Sequence, residues 1–159
     1  MYHNPMVRFL PLLLTFLVVA MAADLPSRKY LNLAAIKTLV TAAETEAQNR
    51  KLQVTICIVD ESGNLLFLQK ADNTSLNTIQ FAQRKARYAA IYGRPSKVAA
   101  DQLKGGDMAQ LVFPDGFPNQ GGVPIKVDGQ TIGAIACSGG PSEVDEAIAQ
   151  SAVDALLKK

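Results

Sequence analysis

Lys85 is the residue of this 159-residue chain whose surroundings most suggest chemistry. It lies in a segment where small apolar residues recur at helical spacing, namely Ile79, Ala82, Ala86, Ala89 and Ala90. A charged side chain in such a stripe is rarely buried without a partner. Two interpretations stay open: Lys85 anchors a carboxylate or propionate of a ligand, or it forms an ion pair with Asp72 or Asp145.

Gly121 and Gly122 form the second candidate feature, because they directly precede a strand-like segment. Paired glycines let a ligand or another backbone come close, and exposed amides there can meet an anionic group. We therefore expect them at the rim of a ligand pocket. The full set of candidate ligand-binding residues is Lys85, Asp72, Gly121, Gly122, Asp145 and Tyr88.

Several common catalytic arrangements are missing from the sequence. The single histidine is His3, and there is no CxxC pair, nucleophile elbow, Walker loop, dinucleotide fingerprint or recognisable metal-ligand cluster. The 16 Lys and Arg residues nearly balance the 14 Asp and Glu residues, which does not indicate nucleic acid as a partner. Motifs alone leave open whether the protein is an enzyme.

The first 22 residues have the pattern of a signal peptide. Arg8 precedes an apolar stretch over residues 9–21, and an Ala-Met-Ala sequence ends at Ala22. The stretch is shorter than the roughly 20 residues that span a membrane, and a proline interrupts it. We predict cleavage after Ala22, a single domain over residues 23–159, a periplasmic or secreted location, and no stable membrane anchor after cleavage.

The two cysteines, Cys57 and Cys137, both fall in apolar, strand-like segments. An oxidising compartment permits a disulfide if their strands are neighbours. The alternative is a pair of buried free thiols that pack as small hydrophobic side chains. Since no histidine or second cysteine lies nearby to activate either thiolate, a catalytic cysteine is not expected.

Apolar periodicity and turn residues predict four helices and two β-hairpins. The predicted helices cover residues 30–51, 76–92, 97–103 and a last segment from Ser142, where Ser142 and Asp145 suggest an acidic variant of the capping box. The hairpin strands cover residues 54–60, 65–70, 123–127 and 131–137. The long loop between residues 105 and 122 contains at most one short strand, near 111–113. Because strands and helices do not alternate, we expect an α+β fold with an antiparallel sheet flanked by helices.

Four segments in this order resemble the GlcG/HbpS-like family, which includes the C-terminal domain of PduO-type corrinoid adenosyltransferases. They are VDESGNLLFLQKAD (59–72), SLNTIQFAQRKARYAA (75–90), QGGVPI (120–125) and DGQTIGAIACSGGPSEVDEAIAQSAVDAL (128–156). Each segment alone is weakly specific, but the four together cover nearly all of residues 30–157 at matching spacings.

The resemblance implies a profilin-like α/β fold, with a five-stranded antiparallel sheet between helices, and assembly into dimers or larger oligomers. Some relatives bind haem or corrinoid-type ligands, one branch is described as haem-degrading, and another is encoded beside glycolate oxidation genes. We therefore expect an exported oligomer that binds haem or a related tetrapyrrole or corrinoid. The alternative is an enzyme or accessory protein for a small hydroxy or keto carboxylate, with Lys85 as anchor or base and Asp72 or Asp145 assisting.

The sequence departs from the haem-binding branch because no histidine follows the predicted leader. Haem iron is most often held by His, and Cys, Met and Tyr are the other known ligands. Haem is thus a candidate ligand whose iron would need another side chain. The candidates are Tyr30, Tyr88, Tyr92, Met108 and the cysteines; alternatively, apolar contacts and the propionates alone hold the porphyrin.

Overall fold

A computed structural model describes residues 27–158 of the chain, so the predicted signal peptide and cleavage site lie outside the described residues. The described part contains these helices and strands in order: α1 Leu33–Asn49, β1 Thr55–Asp60, β2 Leu65–Lys70, α2 Thr78–Tyr92, α3 Lys97–Lys104, β3 Gly122–Val127, β4 Gln130–Ser138 and α4 Ser142–Leu157. Among residues 27–158, no helix combines the length and apolarity that crossing a bilayer requires.

The four strands form one antiparallel sheet in the order β2-β1-β4-β3. Both predicted hairpins are present. In the first, the Asp60 carboxylate accepts hydrogen bonds from the backbone N–H groups of Ser62 and Asn64, which closes the turn. In the second, Asp128 and Gly129 both adopt positive φ, at 51° and 79°, as a two-residue type I′ turn requires.

The expected fifth strand is wrong for the described residues, although the α+β class is confirmed. Met108–Leu111 forms a short 3-10 helix instead, and the Asp107 side chain accepts a hydrogen bond from the backbone N–H of Ala109. The N–H groups of Val112 and Phe113 then donate to the Ala109 carbonyl at 3.0 and 3.2 Å. Because these donors are satisfied within the segment, they do not pair with a neighbouring strand.

Helices cover both faces of the sheet. Large aliphatic side chains of the sheet pack against α1 and α4 on one face, among them Ile56, Ile58, Ile125 and Ile135. Small residues of β1, β4 and α2 meet on the other face: Cys57, Val59, Ala82, Ala86, Ala89, Ala90, Ala134 and Ala136. The alanines let α2 lie close to the sheet.

Cys57 and Cys137 are both free and buried, which matches the alternative of two packed thiols. Their strands are neighbours, but Cys137 lies opposite Ile56 in the β1–β4 register. Since successive residues of a strand point to opposite faces, the two sulfur atoms lie on different sides of the sheet. Burial raises the pKa of the Cys57 thiol to about 12, and burial together with the charge of Asp145 also raises that of Cys137.

Candidate functional site

Lys85 projects from α2 and forms a buried ion pair with Asp145 on α4. The Lys85 Nζ lies 2.9 Å from Asp145 Oδ2 and 3.2 Å from the carbonyl oxygen of Cys137, to which it also donates. Each of the two residues is only 1% exposed. The ion-pair interpretation of Lys85 is therefore confirmed, with Asp145 as the partner and not Asp72.

At the start of α4, the Asp145 carboxylate takes no part in a capping box and can therefore accept a hydrogen bond from Lys85. The predicted capping box is wrong. It requires Ser142 at the N-cap, but Ser142 is already the first helical residue, and Pro141 is at the N-cap with no side-chain cap. The backbone N–H of Asp145 already donates to the Pro141 carbonyl at 2.9 Å, so the Ser142 hydroxyl has no such donor to accept from. Asp145 Oδ1 instead accepts from the N–H of Gly140 at 3.0 Å, and both carboxylate oxygens are engaged.

Gly121 and Gly122 lie against this pair and let α2 approach β3. A Cβ atom on Gly121 would lie 2.8 Å from the Lys85 Nζ, and one on Gly122 would lie 2.3 Å from the Lys85 carbonyl oxygen. The N–H of Gly122 donates to Ser96 Oγ at 2.8 Å, and its carbonyl accepts from the N–H of Ser96 at 3.0 Å. The group that approaches these glycines closely is thus the backbone and ammonium of Lys85.

Tyr88 and Asp72 do not join this cluster. Tyr88 is fully buried, its hydroxyl accepts a hydrogen bond from Arg94 Nε at 2.8 Å, and its ring stacks on Tyr92. Asp72 is exposed and lines a cleft of about 490 Å³ between the end of α1 and β2. Lys85 and Asp145 are not among the residues that line this cleft. The structure therefore brings together four of the six candidate residues.

Three interactions of α2 with the long loop, made by Arg84 and Arg87, were not predicted from the sequence. Arg87 forms an ion pair with Asp115 of the loop. The Arg84 guanidinium lies 4.3 Å from the centre of the Phe117 ring and donates to the Gly116 carbonyl. Because these partners are about 30 residues away in sequence, no local pattern could have indicated them.

A second cleft, of about 390 Å³, lies where the segment before α1 meets the β3–β4 hairpin and the end of α4. We call it the Tyr30 cleft; its lining residues are Arg28, Lys29, Tyr30, Leu31, Asn32, Ala35, Val127, Ile132, Leu156 and Leu157. Its walls are aliphatic, whereas its edge carries two cations and a phenol. Arg28 forms an ion pair with Glu61, and Lys29 forms one with Asp128.

Side chains that could ligate iron differ sharply in access. Tyr30 is 65% exposed and Met108 is 63% exposed, while Tyr88 and both cysteines have no exposed surface. The Tyr92 hydroxyl donates to the carbonyl of Pro114. Within residues 27–158, no three or more His, Cys, Asp or Glu side chains are grouped so that they could hold a metal ion.

The fold and its helix-covered antiparallel sheet are shared with solved structures of haem-associated proteins. The structure of HbpS superposes with a TM-score of 0.75 and 28% sequence identity, over 88% of this chain and 99% of that one. The PduOC–heme complex gives a TM-score of 0.73 and 26% identity, over 80% of this chain and 95% of that one.

The family model described as "Haem degrading protein HbpS-like" matches residues 31–154, and the chain belongs to this family. The GlcG protein of Escherichia coli K12 is 35% identical over 100 residues, which is 63% of this chain and 75% of GlcG. The resemblance seen in the sequence segments is thereby confirmed at the level of the family.

Proposed function

We propose that this protein binds haem or a closely related planar tetrapyrrole as an exported homo-oligomer. The observation that carries the proposal is the Tyr30 cleft, which combines aliphatic walls with two cationic side chains at its edge. Two comparisons support it: the family is described by haem degradation, and the related PduOC was crystallised with heme.

The chemistry of the Tyr30 cleft suits a flat, apolar ligand that carries carboxylates. Ile132, Leu156 and Leu157 present aliphatic surface of the kind that packs on a porphyrin face. The cleft volume of about 390 Å³ falls within the range of roughly 300–1,000 Å³ that is usual for small-molecule sites. Such a cleft holds part of a porphyrin and leaves one edge open to solvent or to a neighbouring subunit.

Arg28 and Lys29 are available to meet the propionates. Their side chains are 72% and 58% exposed, and each is paired at the surface with a carboxylate, Glu61 or Asp128. Exposed ion pairs contribute little free energy because water screens them and the side chains lose entropy. A propionate can therefore replace either carboxylate at little cost.

No geometric observation favours the alternative of an enzyme for a small hydroxy or keto carboxylate. Lys85 is buried, and each oxygen of Asp145 already accepts a hydrogen bond. Asp72 lies in a cleft that also contains Glu44 and the last turn of α1, whose carbonyl groups disfavour an anion. The three residues to which this alternative assigns chemistry therefore do not lie together beside an open cleft: Lys85 and Asp145 are buried and paired with each other, and Asp72 lies apart from them.

The experiment is an absorbance titration of the full chain with haemin, run beside size-exclusion chromatography. We expect a saturable Soret change with a fixed stoichiometry on a defined oligomer. The variant Leu156→Glu places a negative charge on the cleft wall. It should weaken binding by about tenfold or more, because covering a charge with an apolar porphyrin face costs more than about 1.4 kcal/mol, which corresponds to tenfold in affinity. Val112→Glu adds the same charge at a residue that is 80% exposed and does not line the cleft, so it should bind normally.

A protein that shows no Soret change with haemin would refute the proposal. An equal loss of affinity in Leu156→Glu and Val112→Glu would show that binding is a general charge effect and does not depend on the Tyr30 cleft. A rise in melting temperature with glycolate, but not with haemin, would indicate that the ligand is a small carboxylate.

A further inference from the structure

We propose that the phenol oxygen of Tyr30 is the iron ligand when this protein binds ferric haem. This inference rests on the proposed function, because it names the ligating atom within the Tyr30 cleft. Tyrosinate is an established protein ligand of haem iron. No histidine is present between residues 27 and 158 to take that role.

Access and hydrogen bonding set Tyr30 apart from the other candidate ligands of the described chain. Tyr88 is fully buried with its hydroxyl bonded to Arg94, and the Tyr92 hydroxyl is bonded to the Pro114 carbonyl. Both cysteines are buried, and their raised pKa values keep the thiols protonated. A protonated thiol is a poor ligand, since metals bind the thiolate. The two cysteines and Tyr88 therefore cannot reach an iron atom without local unfolding, and Tyr92 would first have to give up its hydrogen bond to the Pro114 carbonyl.

Met108 is the other exposed candidate, but its surroundings differ. It begins the short 3-10 helix of the long loop and is not among the residues that line the Tyr30 cleft. A thioether there would have no apolar wall of that cleft beside it. Tyr30, in contrast, is both 65% exposed and part of a cleft that has aliphatic walls and two cations.

The backbone that follows Tyr30 is held in place, while the Tyr30 side chain is 65% exposed. Leu31 is 7% exposed and belongs to the core, and the Asn32 side chain caps α1 by accepting from the N–H of Ala35 at 2.9 Å. A ligand held by fixed neighbours loses less entropy on binding than one on a free segment.

The bonding is a simple exchange. The Tyr30 hydroxyl would release its proton to solvent, and the phenolate oxygen would replace the water, hydroxide or chloride that ferric haem carries in solution, with no change in oxidation state. Arg28 and Lys29 lie on the same segment and offset the negative charges of the phenolate and the propionates. These residues bind and orient; the structure assigns no further step to them.

The test compares haemin with iron-free protoporphyrin IX on the full chain and on three variants: Tyr30→Phe, Met108→Leu and His3→Ala. Even loss of a hydrogen-bond partner behind a metal ligand costs about 10- to 100-fold in metal affinity. We therefore expect Tyr30→Phe to weaken haemin binding by at least about tenfold and to abolish the resonance Raman bands of an iron-bound phenolate. Its affinity for protoporphyrin IX should stay within about twofold, because the cleft walls are unchanged.

The remaining variants and a fold control separate the possible outcomes. Met108→Leu and His3→Ala should keep the phenolate bands and the haemin affinity. Circular dichroism and the melting temperature of Tyr30→Phe should match the wild type, since the side chain is mostly exposed. Unchanged haemin affinity and bands in Tyr30→Phe, or their loss in His3→Ala or Met108→Leu, would overturn the assignment while leaving haem binding intact. If neither porphyrin binds the wild type, the proposed function itself fails and the assignment fails with it.

Discussion

The buried ammonium group of Lys85 is accommodated by three parts of the fold. Asp145 supplies the charge, the Cys137 carbonyl supplies an acceptor, and Gly121 leaves the space for its ammonium. Removal of one partner from a buried ion pair is costly because the other charge stays buried. Its role is thus to join α2 to α4 and β4.

Replacement of Lys85 by Met should lower the free energy of unfolding by about 3–5 kcal/mol, because the Asp145 carboxylate is then buried without a cation. The double variant Lys85→Met, Asp145→Asn should recover much of this loss, since the amide oxygen still accepts from the Gly140 N–H. Urea denaturation measures both. As a control, Lys97→Ala breaks the exposed ion pair with Asp101 and should lower the free energy of unfolding by less than about 1 kcal/mol. Equal effects of Lys85→Met and Lys97→Ala would contradict a buried pair.

Glu146 lies one residue beyond Asp145 and presents a buried oxygen, Oε2, that has no hydrogen-bond partner among the described residues. Burial raises the pKa of this carboxyl, although a hydrogen bond from Gln120 and the charge of Lys97 act in the opposite direction. A raised pKa in the folded state means that ionisation of Glu146 destabilises the fold as the pH rises through and above its ordinary value of 4.5.

We therefore expect Glu146→Gln to be more stable than the wild type at pH 7, with the advantage lost at pH values below 4.5, where both states of the wild type are protonated. Melting temperatures across this pH range measure the difference. Glu143→Gln on the same helical turn is the control; its exposed charge favours the helix N-terminus, so its loss should be slightly destabilising. A constant advantage of Glu146→Gln at all pH values would exclude ionisation as the cause.

At the scale of elements, the closeness of α2 to the sheet depends on residues without bulk. Alanines face the sheet along the helix, and Gly122 in β3 contacts the helix backbone directly. Two hydrogen bonds between Gly122 and Ser96 then join β3 to the segment before α3. Any side chain at position 122 must therefore push two elements apart.

The variant Gly122→Ala should lose about 1–3 kcal/mol or more of stability, the usual cost of overpacking, because its Cβ would meet the Lys85 carbonyl and neither backbone can yield alone. Gly105→Ala is a suitable control, since Gly105 has φ −76° at the end of α3 and needs no special conformation. Thermal unfolding compares the two. A Gly122→Ala protein as stable as Gly105→Ala would contradict the close contact between α2 and β3.

The reactivity of the two thiols tests whether Cys57 and Cys137 are buried on opposite faces of the sheet. In the native protein at pH 8, a thiol reagent should react with neither Cys57 nor Cys137, because burial keeps both protonated and inaccessible. In denaturant without reductant, both cysteines should react with the thiol reagent. Recovery of no free thiols in denaturant would show that a disulfide forms, which the opposite sheet faces do not allow within one chain.

At the scale of the whole molecule, the predicted cleavage site after Ala22 precedes Arg28, the first residue that lines the Tyr30 cleft. Expression with the native N-terminus in a Gram-negative host should yield a periplasmic protein whose intact mass corresponds to a chain that begins at Ala23. Ala22→Leu should block cleavage, because signal peptidase requires a small residue there. A wild-type mass that retains residues 1–22 would refute the predicted cleavage.

Features that depend on residues close together in sequence were predicted, whereas contacts between residues far apart in sequence were not. The helices and hairpins were predicted to within about three residues, because their signals are local: apolar periodicity, Gly93 after α2, and the Asp128–Gly129 turn. The fifth strand that the resemblance implied is not present in the described residues, and the long loop, for which the sequence allowed at most one short strand near 111–113, contains a short 3-10 helix at Met108–Leu111. Local pattern likewise placed Lys85 in a small-residue stripe but left its partner open.

The amino-acid sequence by itself determined the family of this protein, the order of its helices and strands and the antiparallel class of its sheet. It also showed that no histidine follows the predicted leader. Only the tertiary structure decided that Lys85 pairs with Asp145, 60 residues away, that the cysteines lie on opposite faces, and that Tyr30 borders a cleft. The physical reason is that these facts depend on which strands are neighbours and on the depth at which each side chain is buried. Both arise from packing of distant segments, which no local period encodes.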